Sequence, residues 1–187
     1  SFLQARGYSH SDKVLADFGV GYAPMGNVAM RHLTGNGYDL ELLKSVGVLG
    51  KSEDGRYYDF FRDRVMFPFY DLSGRVIAFS GRIVTPNDKT GKYVNTGETP
   101  IFRKGNHIFG LYQAKRAIGK EGFAYLVEGQ FDVVTLHRYG IENVIGGSGT
   151  AFTDEQVRLI TRFTRDVVMI YDADAAGMKA AIKNCEL

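Results

Sequence analysis

Hydrophobic and polar positions follow two different regimes along the chain. From residue 111 onward, apolar runs of strand length alternate with segments of helical period. The pattern predicts helices over 111–119, 130–139, 153–163 and 174–185, with strands over 123–127, 143–146 and 167–171. Strands separated by helices of about ten residues imply right-handed βαβ units and a parallel sheet covered by helices on both faces. Before residue 111 the pattern is mixed. A helix is expected over 9–18, with Ser9 or Ser11 as N-cap and Val14, Leu15 and Phe18 on one face. GVGYAP reads as extended, and helices are expected over 26–34 and 38–46, the second stopped by Gly47. After a turn at Ser52-Glu53-Asp54-Gly55, RVMFPFYD and RVIAFSGRIV read as a strand and its return around Leu72-Ser73-Gly74. Pro68 inside the first of these calls for an edge or bulge position. Residues 85–106 are polar and loop-rich, with three glycines and two prolines.

The fold class is therefore α/β: a mixed α+β N-terminal subdomain, then a Rossmann-type parallel sheet. The change of regime near Lys120-Glu121-Gly122 sets the expected domains at 1–121 and 122–187. SFLQARG reads as the tail of a helix, and the chain stops at Leu187 within a helical pattern. Both ends therefore read as cut from something larger, with the second domain incomplete at its C-terminal end.

Composition narrows the class. Of 187 residues, 44% are hydrophobic, the share of a globular protein with a buried core. The one cysteine, Cys185, excludes an internal disulfide and a CxxC zinc site, and agrees with a cytoplasmic location. No apolar run approaches membrane-spanning length, and no membrane partner is expected. The net charge of +2 is unevenly spread: residues 1–122 carry 17 Lys/Arg against 12 Asp/Glu, and residues 123–187 carry 6 against 9. A basic half beside an acidic one suits a polyanion held near a metal, though ordinary solvated surface would look the same.

The acids are not randomly placed. Glu128 closes the strand FAYLV, Asp132 follows in the next helix's first turn, and Asp172 and Asp174 follow VVMIY. Ligands of an open parallel sheet bind beyond the carboxyl ends of its strands. Carboxylates gathered there are hard oxygen ligands for Mg²⁺, which fills its shell with water and phosphate oxygens. The i, i+2 spacing of Asp172 and Asp174 puts both on one side of an extended stretch. Asp132 also reads as a charge on a helix N-terminus, and Asp174 as a simple cap.

Gly146-Gly147-Ser148-Gly149-Thr150 precedes a helix capped by Thr153 with Gln156 at the capping-box position. It reads either as a phosphate-cradling turn or as a tight βα connection. Arg62, Arg64, Arg82, Lys92, Asn95 and Lys104 would track a phosphate backbone or a triphosphate. Tyr57, Tyr58, Tyr93 and Phe102 offer either stacking faces or core. The four histidines show no metal-ligand spacing.

Taken together, DFFRDRVMFPFYDLSGRVIAFSGRIV, KYVNTGETPIFRKG, FGLYQAK, LVEGQFDVV, GSGTAFT and YDADAAG resemble the catalytic core of bacterial DnaG-type DNA primases. LQARGYSHSDKVLADFGVGYAP resembles the start of that core. The resemblance covers the whole chain in order. It implies a basic N-terminal subdomain packed on a Toprim fold, and synthesis of short RNA primers on a single-stranded DNA template from ribonucleoside triphosphates. It also implies Mg²⁺ or Mn²⁺ as cofactor and an RNA–DNA hybrid as product. By position, Glu128, Asp172 and Asp174 would be the metal-binding acids, Glu128 a ligand or the base, and Asp132 a supporting acid. Arg6, Arg62, Arg82, Lys92, Asn95 and Lys104 would bind template and nucleotide.

The chain departs from the family with EGQFD for EGYMD and DADAAG for DGDAAG, and with Phe60 where some relatives have a further arginine. The family's zinc-binding N-terminal domain, its helicase-binding C-terminal domain and a second acidic pair fall outside the chain. A nuclease or topoisomerase-like Toprim enzyme, or a non-catalytic single-strand-binding module, remains the alternative.

Overall fold

The computed structural model describes residues 2–85, 91–147 and 152–185. In chain order its elements are α1 (Lys13–Asp17), β1 (Gly21–Ala23), α2 (Val28–Gly35), α3 (Leu40–Ser45), β2 (Leu49–Lys51), β3 (Tyr57–Asp59), β4 (Arg64–Tyr70), β5 (Val76–Ile83) and β6 (Tyr93–Asn95). They continue with α4 (Leu111–Glu121), β7 (Phe123–Val127), α5 (Gln130–Arg138), β8 (Val144–Gly146), α6 (Asp154–Ile160), β9 (Asp166–Ile170) and α7 (Ala175–Cys185). Contacts divide the chain into two compact units. The first comprises Ser1–Ser9, Gly19–Pro68 and Ile77–Arg103; the second comprises His10–Phe18, Phe69–Val76 and Lys104–Leu187.

The first unit is built on an antiparallel sheet in the order β1-β4-β5-β6. GVGYAP supplies β1, which pairs with β4 from Gly21↔Met66 to Ala23↔Arg64. The β4 strand is thus interior rather than an edge. Because the β1 ladder reaches only Met66, Pro68 sits where at most one strand neighbour needs an N–H donor. Two elements depart from the sequence pattern. The turn at 52–55 closes a β2–β3 hairpin, and the loop-rich segment contains β6, antiparallel to β5 with Ser80↔Asn95 and Arg82↔Tyr93. Three-residue strands carry no measurable alternation, so propensity alone does not reveal them. Buried Asp59 holds the start of α2: its carboxylate accepts hydrogen bonds of 2.8 Å from both the Ala29 and Met30 N–H groups.

The second unit carries a three-stranded parallel sheet in the order β8-β7-β9. Glycines with positive φ flank α4, Gly110 and Gly122, both at 80°. Leu111, Ala114 and Ile118 form its buried stripe, packed with Ala124, Leu126, Ile145 and Ile160. That cluster covers one face of the sheet. On the other, a Cβ on Gly146 would meet Val133 of α5 at 3.0 Å, so glycine permits that close approach. Burial on both faces therefore holds for β7 and β8. It fails at β9, where Val168 (46% exposed) and Ile170 (48%) lie bare on the α5 side. The α5 helix packs against β8, at the opposite edge, leaving this strand's outer face uncovered among the described residues.

Candidate active site

Parallel pairing of Val127 with Ile170 brings the carboxyl ends of β7 and β9 level. The residue after β7 is Glu128; after β9 come Tyr171 and Asp172. Across this gap Glu128 Oε1 accepts a 2.7 Å hydrogen bond from the Asp172 N–H. A half-buried carboxylate at a strand end thereby finds a backbone donor. The chain bends at Ala173-Asp174 instead of staying extended, so the i, i+2 geometry expected of Asp172 and Asp174 does not apply. Asp174 turns into α7, where its Oδ1 accepts from the Gly177 N–H at 2.8 Å and serves as a cap. Asp132 does the same for α5: its Oδ2 accepts from the Gly129 N–H at 2.9 Å. Both local readings of these two aspartates have a structural counterpart.

Gly177 is a site residue that sequence reasoning missed. It is buried, and a Cβ there would run into the Asp172 carbonyl oxygen and come within 2.7 Å of Glu128 Oε1. The first turn of α7 thus packs directly onto the acids. The signal was in YDADAAG, where glycine inside a helical pattern marks a close approach.

Among the described residues, no three Asp, Glu, His or Cys side chains already converge as a ligand cluster. The donor set still fits a hard divalent cation. Glu128 and Asp174 each use one oxygen in the bonds above. Asp172 is exposed, with its carboxylate outside the hydrogen bonds of the described residues. Mg²⁺ needs only one or two protein carboxylates, with water and phosphate completing the shell.

The basic residues fall in two places. In the first unit, Arg82 on β5 lies half-buried, 5.0 Å over the Tyr93 ring, and its Nε is buried without a partner among the described residues. Burial lowers the Arg82 pKa from its ordinary value, and the nearby charge of Arg6 adds to that. Ser80 Oγ and Asn95 Oδ1, on residues paired in register beside it, are also buried and have no partner among the described residues. Buried polar atoms rarely go unmatched, so these three leave hydrogen-bonding capacity open along one face of β5 and β6. Lys92 is exposed next to β6, Arg6 sits 5.0 Å from the Phe2 ring centroid, and Arg62 5.0 Å from that of Tyr58. Lys104 belongs to the second unit, on a 3-10 turn spanning Lys104–Asn106.

One expectation is corrected, and two readings left open by the sequence fall on the structural side. Arg64 is 4% exposed and is no surface phosphate contact, since it donates to the Gly81 and Gly91 carbonyls at 3.0 and 3.1 Å. Phe102 is 1% exposed and belongs to the core. In the glycine-rich turn, the Gly146 N–H bonds to Phe109 O and the Gly147 N–H to Val127 O, so neither is left for a phosphate. Ser148, Gly149 and Thr150 lie outside the described residues. His137 is core: it lies edge-on to Phe18, its Nε2 3.1 Å from Val144 O, and burial lowers its pKa. No helix among the described residues is long and apolar enough to cross a membrane.

An antiparallel unit followed by a parallel sheet with acids at the ends of two strands defines a chain with a Toprim-like half. Residues 1–115 match the family model for the DNA primase catalytic core, N-terminal domain, and residues 125–187 match a Toprim-like model. The chain belongs to the DNA primase catalytic-core family. It is 40% identical over 186 residues to a DNA primase of Escherichia coli K12, covering 99% of this chain and 31% of that protein. The chain thus spans about a third of the length of the curated relatives it matches. A crystal structure of a DNA primase domain from Pseudomonas aeruginosa is similar, with a TM-score of 0.89 at 38% identity, over 99% of this chain and 57% of that one. A DnaG primase catalytic domain bound to single-stranded DNA gives 0.84 at 40% identity, over 97% of this chain and 57% of that one.

Proposed function

We propose that this chain carries the central part of a primase active site, joining ribonucleoside triphosphates into RNA on a single-stranded DNA template. In this reading residues 1–121 form the basic subdomain and residues 122–187 the Toprim part. The observation that carries it is the joint of Glu128, Asp172 and Gly177, which ties two parallel strand ends and a helix start into one acidic corner.

Glu128, Asp172 and Asp174 would hold Mg²⁺ or Mn²⁺, with Asp132 in support. When bound, the ion would neutralise charge developing on the transferring phosphoryl group. The chain's own groups do the rest. The Asp172 N–H holds Glu128 in place, either as a ligand or to accept the proton of the primer 3′-hydroxyl. Arg6, Arg82, Lys92, Asn95 and Lys104 would bind triphosphate and template phosphates, and Arg62 the template strand. The likeness to a primase domain bound to single-stranded DNA supports the template.

The test uses the full-length parent protein with single-stranded DNA, labelled ribonucleotides and Mg²⁺ or Mn²⁺, beside its Asp172→Ala variant. Short RNA products that disappear in the variant are expected. Cleavage of the DNA without RNA synthesis would assign the site to a nuclease instead.

A further inference from the structure

The 3-10 turn bearing Lys104 is fastened by the start of α6. Gln156, 5% exposed, donates through Nε2 to the Lys104 carbonyl at 3.2 Å and to the His107 carbonyl at 2.8 Å. Thr153 Oγ1 donates to the Gly105 carbonyl at 2.5 Å. The same two residues also cap α6 reciprocally, Gln156 N–H to Thr153 Oγ1 at 3.2 Å and Thr153 N–H to Gln156 Oε1 at 3.0 Å.

A capping box needs only the reciprocal pair. Here both amide hydrogens of Gln156 reach residues about fifty positions earlier, as does the Thr153 hydroxyl. Three carbonyls within residues 104–107 are thereby held from a single helix start. The turn is tied again through the Phe109↔Gly146 bridge to β8, in the same sheet whose β7 leads into Glu128. A lysine has a long, flexible stem, so its reach is set largely by where its backbone is held.

We propose that Gln156 and Thr153 are positioning residues for Lys104, holding its backbone so that the ammonium meets a phosphate of the nucleotide or the template. The proposal rests on the reading of Lys104 as a phosphate-binding residue. It adds that a residue of α6, outside every basic motif, sets how well Lys104 performs.

The experiment titrates the 187-residue chain with a fluorescent oligothymidylate and, separately, with a labelled ribonucleoside triphosphate, each at several salt concentrations. The variants are Lys104→Ala, Gln156→Met and the double variant, with thermal melts alongside. Gln156→Met removes both outgoing donors and should weaken binding about threefold to tenfold. For the oligonucleotide it should also lower the salt slope by about 0.7, the share of one phosphate contact on a single strand. In the Lys104→Ala background it should have no further effect. An equal loss in both backgrounds, or binding and salt slope unchanged by Gln156→Met with both probes, would overturn the positioning role while leaving that of Lys104 intact. Unaltered binding of both probes by Lys104→Ala alone would remove the role of Lys104 itself, and the proposal with it. The arm that responds, oligonucleotide or triphosphate, identifies the source of the phosphate. Should Gln156→Met not fold, Gln156→Glu retains the cap acceptor, loses both donors, and is read in the same cycle.

Discussion

Gly177→Ala is the most discriminating single change. In an ordinary helix interior alanine is favoured over glycine by about 1 kcal/mol. At this position its Cβ meets the Asp172 carbonyl, a backbone atom with little freedom, and Glu128 Oε1 at 2.7 Å. Overpacking a tight site costs about 1–3 kcal/mol. Relief requires α7 to move away or Glu128 to release the Asp172 N–H, and after the propensity gain a net loss of up to about 2 kcal/mol is expected. Because the moving parts are the acids, Mn²⁺ affinity should fall about tenfold, which corresponds to about 1.4 kcal/mol. Urea denaturation of the 187-residue chain gives the stability, and Mn²⁺ titration followed by electron paramagnetic resonance gives the affinity. Unchanged metal binding together with a stabilised fold would refute the reasoning, because alanine would then be acting through helix propensity alone.

Three further outcomes follow from the geometry. Asp59→Ala leaves the Ala29 and Met30 N–H groups without their acceptor and should cost about 2–3 kcal/mol in denaturant unfolding; a loss below about 0.5 kcal/mol would contradict the anchoring role. Burial holds the His137 pKa below 6.5, so the unfolded chain takes up a proton first. Stability should therefore decline as pH falls from about 6.5 toward the folded pKa and be insensitive to this group well above pH 6.5; an unaltered pH slope in His137→Gln would contradict the assignment. Lys92→Ala should weaken oligothymidylate binding and reduce its salt slope by about 0.7; equal slopes in both proteins would remove Lys92 from the interface.

The parallel part of the fold was legible because each of its strands is apolar throughout and each is followed by a helix of full length. From α4 to α7 the expected and observed elements differ by a few residues at their ends. The acids were legible for the same reason: Glu128 and Asp172 interrupt runs of otherwise apolar, strand-forming residues. What escaped detection has physical causes. The hairpin β2–β3 and strand β6 are three residues long, and their stability comes from partners distant in sequence. Arg64 is indistinguishable in sequence from a surface arginine. Only the fold shows its guanidinium spent on two carbonyls. The glycine-rich turn read equally as a phosphate cradle or a tight βα connection, and only the backbone pairing shows its first two N–H groups in use. Gln156 matched a capping box, but a sequence pattern carries no information about its second pair of bonds.

Anomalous scattering from a Mn²⁺-soaked crystal of the chain tests the central claim most directly. The account predicts a peak about 2 Å from carboxylate oxygens of Glu128, Asp172 or Asp174, with solvent filling the remaining positions. Manganese bound only by other residues, with this corner empty at saturating concentration, would contradict it.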